Sequence, residues 1–567
     1  MTPADRHLWQ RFWAIASPYW RQDERLKAWG LLALLVVLLL GQTRFAVLFN
    51  EQTGEFTSAL AARDEQRFWD SIKYCLGLLV MAVPIFALHY FVRDTLGIHW
   101  RRWLTHRFLD SYFSHRNFYE LNANAGIDNP DQRVAEDINT FTQRSLYFLL
   151  IFIGSTLQLV AFSTVLWSIS RELVYFLVLY ASAGTLITIF VFGKRLMNLN
   201  FLQLRREADF RFSLVRVREN AESIALYRGE GQEQQQVRKR FAAAFKNFKR
   251  LVRTQFGLNF FQYAYSLLTI VLPSAIIASD VLSGELEVGR AVQAAGAFAA
   301  VLAAFSLIIE NFESLSRFAA GIDRLDTLAR FLPGHPGCPP RRSSGIVSVD
   351  APQLTLENLT LQTPNCERTL LHNLSVKVPR GDHLMIVGKS GSGKSSLLRA
   401  IAGLWNSGSG VVQHPPIEDL FFLPQRPYMH SGTLRSQIIY PATSTELSDE
   451  RLLELLQEVH LETLAERVGG LDASHDWEKL LSTGEQQRLA FARVLVGNPR
   501  MVILDEATSA LDSANEAALY QRLRDSGVTL VSIAHRHSVL RHHTHVLEFQ
   551  GEGRWQLHAA DAFEFGD

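Results

Sequence analysis

The chain has 567 residues, too many for one hydrophobic core, so two or more domains are expected. Hydrophobic residues make up 48% and mean hydropathy is +0.03, high for a soluble enzyme. The formal net charge of +1 leaves no global field of the kind that draws nucleic acid, and three widely spaced cysteines, Cys75, Cys338 and Cys366, suggest neither a disulfide framework nor a zinc site.

Residues 1–25 read as an amphipathic entry helix. Trp9, Phe12, Trp13, Tyr19 and Trp20 stand among Arg6, Arg11, Arg21 and Arg25, a mixture suited to a helix lying in the membrane interface. No cleavable signal peptide is evident, since the first apolar run lacks a small-residue cleavage pattern. Six long apolar stretches follow within 26–330, at about 26–49, 70–93, 145–169, 173–196, 256–280 and 290–312. Each reaches the roughly 20 residues that a membrane-spanning helix needs. They lack the polar face of a soluble core helix, and membrane helices tolerate Pro84 and Pro273.

The connecting segments set the orientation. Segments 94–144 and 197–255 are rich in arginine, 50–69 has only Arg63 and Arg67, and 281–289 has no basic residue. The basic loops belong on the cytoplasmic side, and so both termini do too. In the first basic loop Asn129-Pro130 starts a turn, and in the second 216–230 suits a solvated helix. Arg44, His89, Gln158, Gln262, Gln293 and Glu310 are the polar groups within the spans. Such groups face a cavity or a partner by default, while Arg44 and Glu310 lie close enough to span ends to snorkel to the interface.

Residues 331–350, with Pro333, Gly334, Pro336, Gly337, Pro339 and Pro340, have the composition of a linker. From 351 to 567 the pattern is soluble α/β, with strands expected at 354–361, 384–387, 419–423, 501–504 and 529–533. His542-His543-Thr544-His545 reads as a surface turn entering a strand at 546–549 rather than a metal site, because no cysteine or carboxylate cluster supports one.

The chemistry centres on Gly388-Lys389-Ser390-Gly391-Ser392-Gly393-Lys394-Ser395, with Ser396 opening the helix beyond. An apolar strand precedes it, which is the setting of a phosphate-binding loop. Glycines let backbone N–H groups curl around a polyphosphate, and the helix N-terminus adds its dipole. Lys394 should reach the β- and γ-phosphates and Ser395 should ligate Mg²⁺. Farther on come Gln425 after a strand, Ser482-Thr483-Gly484-Glu485-Gln486 opening a helix, and Asp505-Glu506 closing a buried strand. Asp512 and His535 follow in that order. Asp505 can hold the Mg²⁺ shell, Glu506 is placed to polarise an attacking water, and a histidine can donate to a γ-phosphate.

Together these motifs make residues 354–550 resemble the nucleotide-binding domain of ATP-binding cassette (ABC) transporters. Gly388–Ser395 matches Walker A, Gln425 the Q-loop glutamine, Ser482–Gln486 the signature, Asp505 and Glu506 Walker B, Asp512 the D-loop and His535 the switch histidine. The resemblance implies an all-α six-helix transmembrane domain followed by an α/β P-loop ABC nucleotide-binding domain. It implies ATP and Mg²⁺ as cofactors, with Gln425 joining Ser395 and Asp505 at the metal and joining Glu506 and His535 in catalysis. The signature departs from the family at Thr483 and Glu485 while keeping Ser482 and Gly484. The adenine-stacking aromatic before Walker A is replaced by Gln362-Thr363-Pro364, so looser base selectivity, with GTP hydrolysed about as fast as ATP, is expected.

One Walker A and one signature in six spans imply a half-transporter, completed as a C₂ homodimer in the lipid bilayer. Asn129–Arg133, Glu222–Glu230 and Leu423–Tyr428 look like the subgroup of peroxisomal subfamily D acyl-CoA transporters, bacterial YddA-type transporters and SbmA/BacA-type peptide permeases. The short chain points to the bacterial branch and so to the inner membrane. That subgroup implies bulky cargo: a peptide, a hydrophilic compound such as cobalamin, or acyl-CoA. Several of its members act in uptake, so direction does not follow from architecture. A gated membrane channel is the alternative, and intact Glu506 and His535 argue for a pump.

Overall fold

The computed structural model describes residues 3–22, 24–122, 130–332, 345–364, 367–444 and 446–565. It divides into two compact units, Met1–Pro340 and Arg341–Asp567. Asn129, Cys338 and Cys366 lie outside the described residues, as does the side chain of Glu310.

The first unit is helical. Its main elements are α1 (Pro3–Arg21), α2 (Arg25–Ala62), α3 (Glu65–Phe113), α4 (Ile138–Ile169), α5 (Arg171–Ile187), α6 (Lys194–Glu219), α7 (Glu230–Ile276), α8 (Val288–Glu310) and α9 (Phe312–Phe331). Local chemistry sets the turns. Arg63 closes α2 in the left-handed conformation, and Asp64 caps α3 by accepting from Arg67 N at 3.1 Å. Ser170 caps α5 in the same way. On α1, Ile15, Ala16 and Tyr19 are buried, and Tyr19 stacks on Trp100 with ring centroids 5.7 Å apart.

Among the described residues five helical segments are long and apolar enough to cross a membrane: Arg25–Ala62, Glu65–Leu121, Pro130–Ile169, Arg171–Gly193 and Val288–Phe305. Only 17% of the most apolar window of Glu65–Leu121 is buried. Leu76, Val80, Met81, Val83 and Phe91 face outward, more apolar surface than a water-soluble helix leaves bare. That surface is suited to lipid. The stretch expected as a span at 256–280 falls mostly in the C-terminal part of α7, which is not among these five segments of described residues. Helices α6 and α7 extend through the second basic loop, broken at Asn220 and at Arg228, which adopts φ +54°.

Helices α2 and α8 meet at glycine. A Cβ on Gly289 would lie 1.9 Å from Gly54 O, so only glycine lets the two backbones approach this closely. Polar clasps flank the crossing. Gly289 N donates to Ser58 Oγ (3.1 Å), Asn50 Nδ2 donates to Gln293 O (3.0 Å), and Arg67 bridges Glu55 (2.6 Å) and Glu287 (3.2 Å). Of the other polar groups in the spans, Arg44 is exposed and His89 is buried with neither ring nitrogen partnered.

The second unit is α/β. A four-stranded sheet is ordered β1 (Ile346–Asp350), β5 (Gly408–His414), β2 (Leu354–Gln362), β3 (Thr369–Val378). A six-stranded sheet is ordered β10 (Arg554–Ala559), β9 (His545–Gly551), β4 (His383–Gly388), β8 (Thr529–Ile533), β7 (Met501–Asp505), β6 (Leu420–Leu423). Its five strands from β9 to β6 are parallel and β10 is antiparallel. Strands β4, β7 and β8 are almost wholly buried, which matches their unbroken apolar runs.

Two readings are corrected here. The linker reading of 331–350 does not hold at its end, where Ile346–Asp350 is strand β1, paired in parallel with β5. Its alternation of apolar and polar residues outweighs the proline-rich composition before it. Nor is the histidine run a surface turn. His542 and His543 are buried, His542 stacks on Tyr520 (5.6 Å), and His543 bonds to Val539 O (2.9 Å) and Ser532 Oγ (3.0 Å). Among the described residues no three His, Cys, Asp or Glu side chains are grouped to hold a metal.

Candidate nucleotide site

The site follows from strand direction. Because β4, β8, β7 and β6 are parallel neighbours, the segments leaving their C-terminal ends share one sheet edge. Those segments carry Gly388–Ser395, His535, Glu506 and Gln425, which are far apart in sequence. The loop leaves β4 and enters the helix α10 (Lys394–Ile401) with Gly388, Gly391 and Gly393 all at positive φ. A Cβ on Gly388 would lie 2.6 Å from Phe549 O. Lys389, Ser390 and Gly391 are exposed, and Ser396 is half-buried on the first turn. Ser392 Oγ is buried without a partner. Lys394 is buried and folds back onto its own loop, donating to Gly388 O (2.6 Å) and Lys389 O (3.1 Å). Burial lowers its pKa, against the pull of Glu506 and Asp505.

Two predicted residues converge on the carboxylate of a third. Gln425 Nε2 donates to Glu506 Oε2 at 2.9 Å, and His535 Nε2 stands 3.2 Å from Glu506 Oε1. Glu506 itself is held at φ +48°, its N–H donating to Ile533 O. Beside it Ser395 Oγ donates to Asp505 Oδ1 at 3.3 Å. Burial pushes the Asp505 carboxyl up, and Glu506 adds to this against the Ser395 hydrogen bond. Two adjoining hard oxygen donors beside a second carboxylate are chemistry that Mg²⁺ fits.

The remaining predicted residues form a second group. Ser482 caps the helix α11 (Thr483–Gly497) in a capping box with Glu485: Ser482 Oγ and N both donate to Glu485 Oε2 at 2.9 Å. Arg467 pairs with the other oxygen of Glu485 at 2.7 Å. Burial works to raise this carboxyl, but the hydrogen bonds from Arg467 and Ser482 outweigh it and hold the pKa below the usual range. Asp512 caps the helix α12 (Ser513–Asp525), accepting from Ala514 N (3.1 Å) and Asn515 N (2.8 Å). Among the described residues no hydrogen bond or ion pair joins Ser482, Gly484, Glu485 or Asp512 to the phosphate loop. The sequence motifs thus form two groups in one chain.

Two residues that sequence reasoning missed tie these groups together, and a third holds Glu485. Gln487 Nε2 donates to Gln425 O (3.1 Å) and Ser509 Oγ (3.3 Å), while its Oε1 accepts from Ala510 N (3.1 Å). Arg536 NH1 and NH2 donate to Leu511 O (2.9 Å) and Ser509 O (3.0 Å). Arg467 is the third. Arg536, next to His535, was within reach of motif reading. Gln487 was not, because nothing in Gln486-Gln487-Arg488 says which side chain turns inward.

A phosphate-loop ATPase unit that follows a lipid-suited helical unit in one chain defines an ATP-driven membrane transporter. The family described as ABC transporter transmembrane region 2 matches residues 22–282, and that described as ABC transporter matches residues 371–509. An uncharacterized ABC transporter ATP-binding protein of Synechocystis is 45% identical, covering 94% of this chain and 82% of its own length. The inner membrane ABC transporter ATP-binding protein YddA of Escherichia coli is 30% identical over 93% and 95%. The human lysosomal cobalamin transporter ABCD4 is 30% identical over 98% and 96%. The chain belongs to the ATP-binding cassette transporters, of the subfamily D type, and it binds ATP.

Proposed function

We propose that two copies of the chain form a C₂ homodimer of half-transporters in the bacterial inner membrane, with both termini cytoplasmic, and that ATP hydrolysis there moves a bulky hydrophilic cargo, a peptide or a compound like cobalamin. The cargo assignment is carried by one observation. A cavity of about 400 Å³ among α5, α7 and α8 is lined by Thr185, Thr188, Asn259, Gln262, Ser266 and Thr269 beside aromatic and aliphatic side chains such as Phe261 and Leu302, and among the described residues by no charged side chain. The hydroxyls of Thr188 and Thr269 already donate to Gly184 O and Ser266 O, so the amides of Asn259 and Gln262 are the groups that suit a cargo with hydrogen-bonding groups, where an acyl chain would leave a buried amide short of a partner at a cost of about 1–3 kcal/mol.

In this reading Gly388–Ser396 cradles the phosphates and Lys394 turns from its own loop to meet them. Ser395 and Asp505, with Gln425, hold Mg²⁺, which when bound offsets phosphate charge. Glu506 polarises the attacking water, while Gln425 and His535 orient the carboxylate and the γ-phosphate. Ser482, Gly484 and Glu485 from the second copy close over the nucleotide, with Asp512 alongside. The reading draws support from the Gln425–Glu506–His535 cluster and from the separation of the two groups.

Protein reconstituted in sealed liposomes tests it. Antimicrobial peptide or cobalamin should stimulate ATPase activity and accumulate against a gradient, with direction scored by protein orientation. Stimulation by acyl-CoA alone would overturn the cargo assignment, and passive equilibration with no accumulation would make the protein a gate.

A further inference from the structure

A second cleft, of about 540 Å³, lies between α3 and α4, away from the cavity above. Arg93, Asp94, Arg101, Asn139, Arg144 and Tyr147 are among its lining residues. Its level in the membrane follows from sequence. The apolar run of α3 ends at Arg93 and that of α4 begins after Arg144, so the cleft sits where two consecutive helices cross the same membrane boundary, on the side of the basic loops. A Cβ added at Gly97 would lie 3.7 Å from Leu146 Cδ1, so the two helices run close together at this level.

Its charge is unbalanced. Arg93 is neutralised by Asp94 at 2.9 Å and lies over the Tyr90 ring. Arg144 lies over the Tyr147 ring, and among the described residues neither Arg101 nor Arg144 has a carboxylate partner. Asn139 adds a buried Oδ1 that accepts from nothing. Toward the membrane, Tyr90, Phe91, Leu149 and Phe152 expose apolar surface.

We propose that this cleft binds the headgroup of an anionic phospholipid. Arg101 and Arg144 hold its phosphate, Asn139 Oδ1 accepts from a headgroup hydroxyl, and the acyl chains lie against the apolar faces of α3 and α4. Two uncompensated cations at a membrane boundary call for a counter-anion. The adjoining apolar surface selects one that carries acyl chains over a soluble phosphate.

The test is native mass spectrometry of the full-length protein in mixed phosphatidylglycerol and phosphatidylcholine. Wild type should retain phosphatidylglycerol preferentially, and Arg101→Gln and Arg144→Gln should each lower the preference about fivefold. Arg218→Gln, on the exposed part of α6, should leave it unchanged. Equal retention of both lipids, or an undiminished preference in the double Gln variant, overturns the proposal. So does stabilisation by inorganic phosphate alone with none by phosphatidylglycerol, which would assign a soluble anion. If the Gln variants fail to fold, wild type with photoactivatable phosphatidylglycerol decides: labelling should concentrate on 90–101 and 139–152, and uniform labelling of all spans refutes the site.

Discussion

At the residue scale, Glu485 is the most consequential departure from the expected signature. It sets a carboxylate beside Ser482, the residue proposed to face a partner's γ-phosphate, where negative charge would repel. Arg467, at 2.7 Å, offsets that charge, and the capping box keeps the carboxylate turned onto its own helix. Arg467→Ala should therefore raise the KM for ATP two- to fivefold, about 0.5–1 kcal/mol, the range of a partly exposed pair. Glu485→Gln added to it should restore the wild-type value, because charge and not shape is at issue. Steady-state ATPase assays check both, and a double variant as impaired as the single one would make Arg467 merely structural. The cradle itself was legible in sequence, since glycine-rich phosphate binding depends on local backbone and fixed spacing. The supports at Gln487 and Arg467 were not, because each acts through contacts between segments distant in the chain.

At the element scale, the close crossing of α2 and α8 rests on two missing side chains, at Gly54 and Gly289. Even one methyl on Gly289 meets backbone, which cannot swing aside as a side chain can. Gly289→Ala should cost about 1–3 kcal/mol and lower the melting temperature in detergent. Gly30, with open space around it, should accept alanine without that loss. In the second unit, the turn between β8 and β9 is secured by buried histidines. Burial drives the His543 pKa down to about 4, and it lowers His383 and His542 in the same direction. A depressed pKa means that the unfolded chain takes up protons first. The stability is thus fully present above about pH 6.5 and is lost as pH falls toward 4, about 3 kcal/mol for His543. Thermal unfolding of the α/β unit, followed at pH 7.5 and pH 5, should show the midpoint fall, and His543→Gln should flatten that pH dependence. Long apolar spans and buried parallel strands were readable because their composition is one-sided. Strands β3, β5 and β10 were not, since each is short or mixed and is defined by its pairing. Strand β1 was hidden by the prolines before it.

At the scale of the whole molecule, the chain holds one phosphate loop and one signature helix, and among the described residues no bond joins them. If the two halves are completed by a second copy, defects in them should complement between chains. Lys394→Ala removes the phosphate-binding ammonium. Gly484→Asp fills a position where an added Cβ would lie 3.2 Å from Ala510 O, and it adds a charge where the proposal puts the nucleotide. Homodimers of either variant lack both sites. A mixed dimer gathers both lesions into one site and leaves the other with an intact phosphate loop and an intact signature. Random assembly makes half of the dimers mixed, so co-expression should restore about a quarter of the wild-type ATPase rate. Covalent linkage of the two variant chains should raise this to about half, since every molecule then carries one good site. A chain that worked as a monomer would show neither recovery. Sites that fire only as a pair would leave the mixture inactive while one nucleotide per dimer still bound, and equilibrium binding to the same sample separates that outcome from a failure to dimerise.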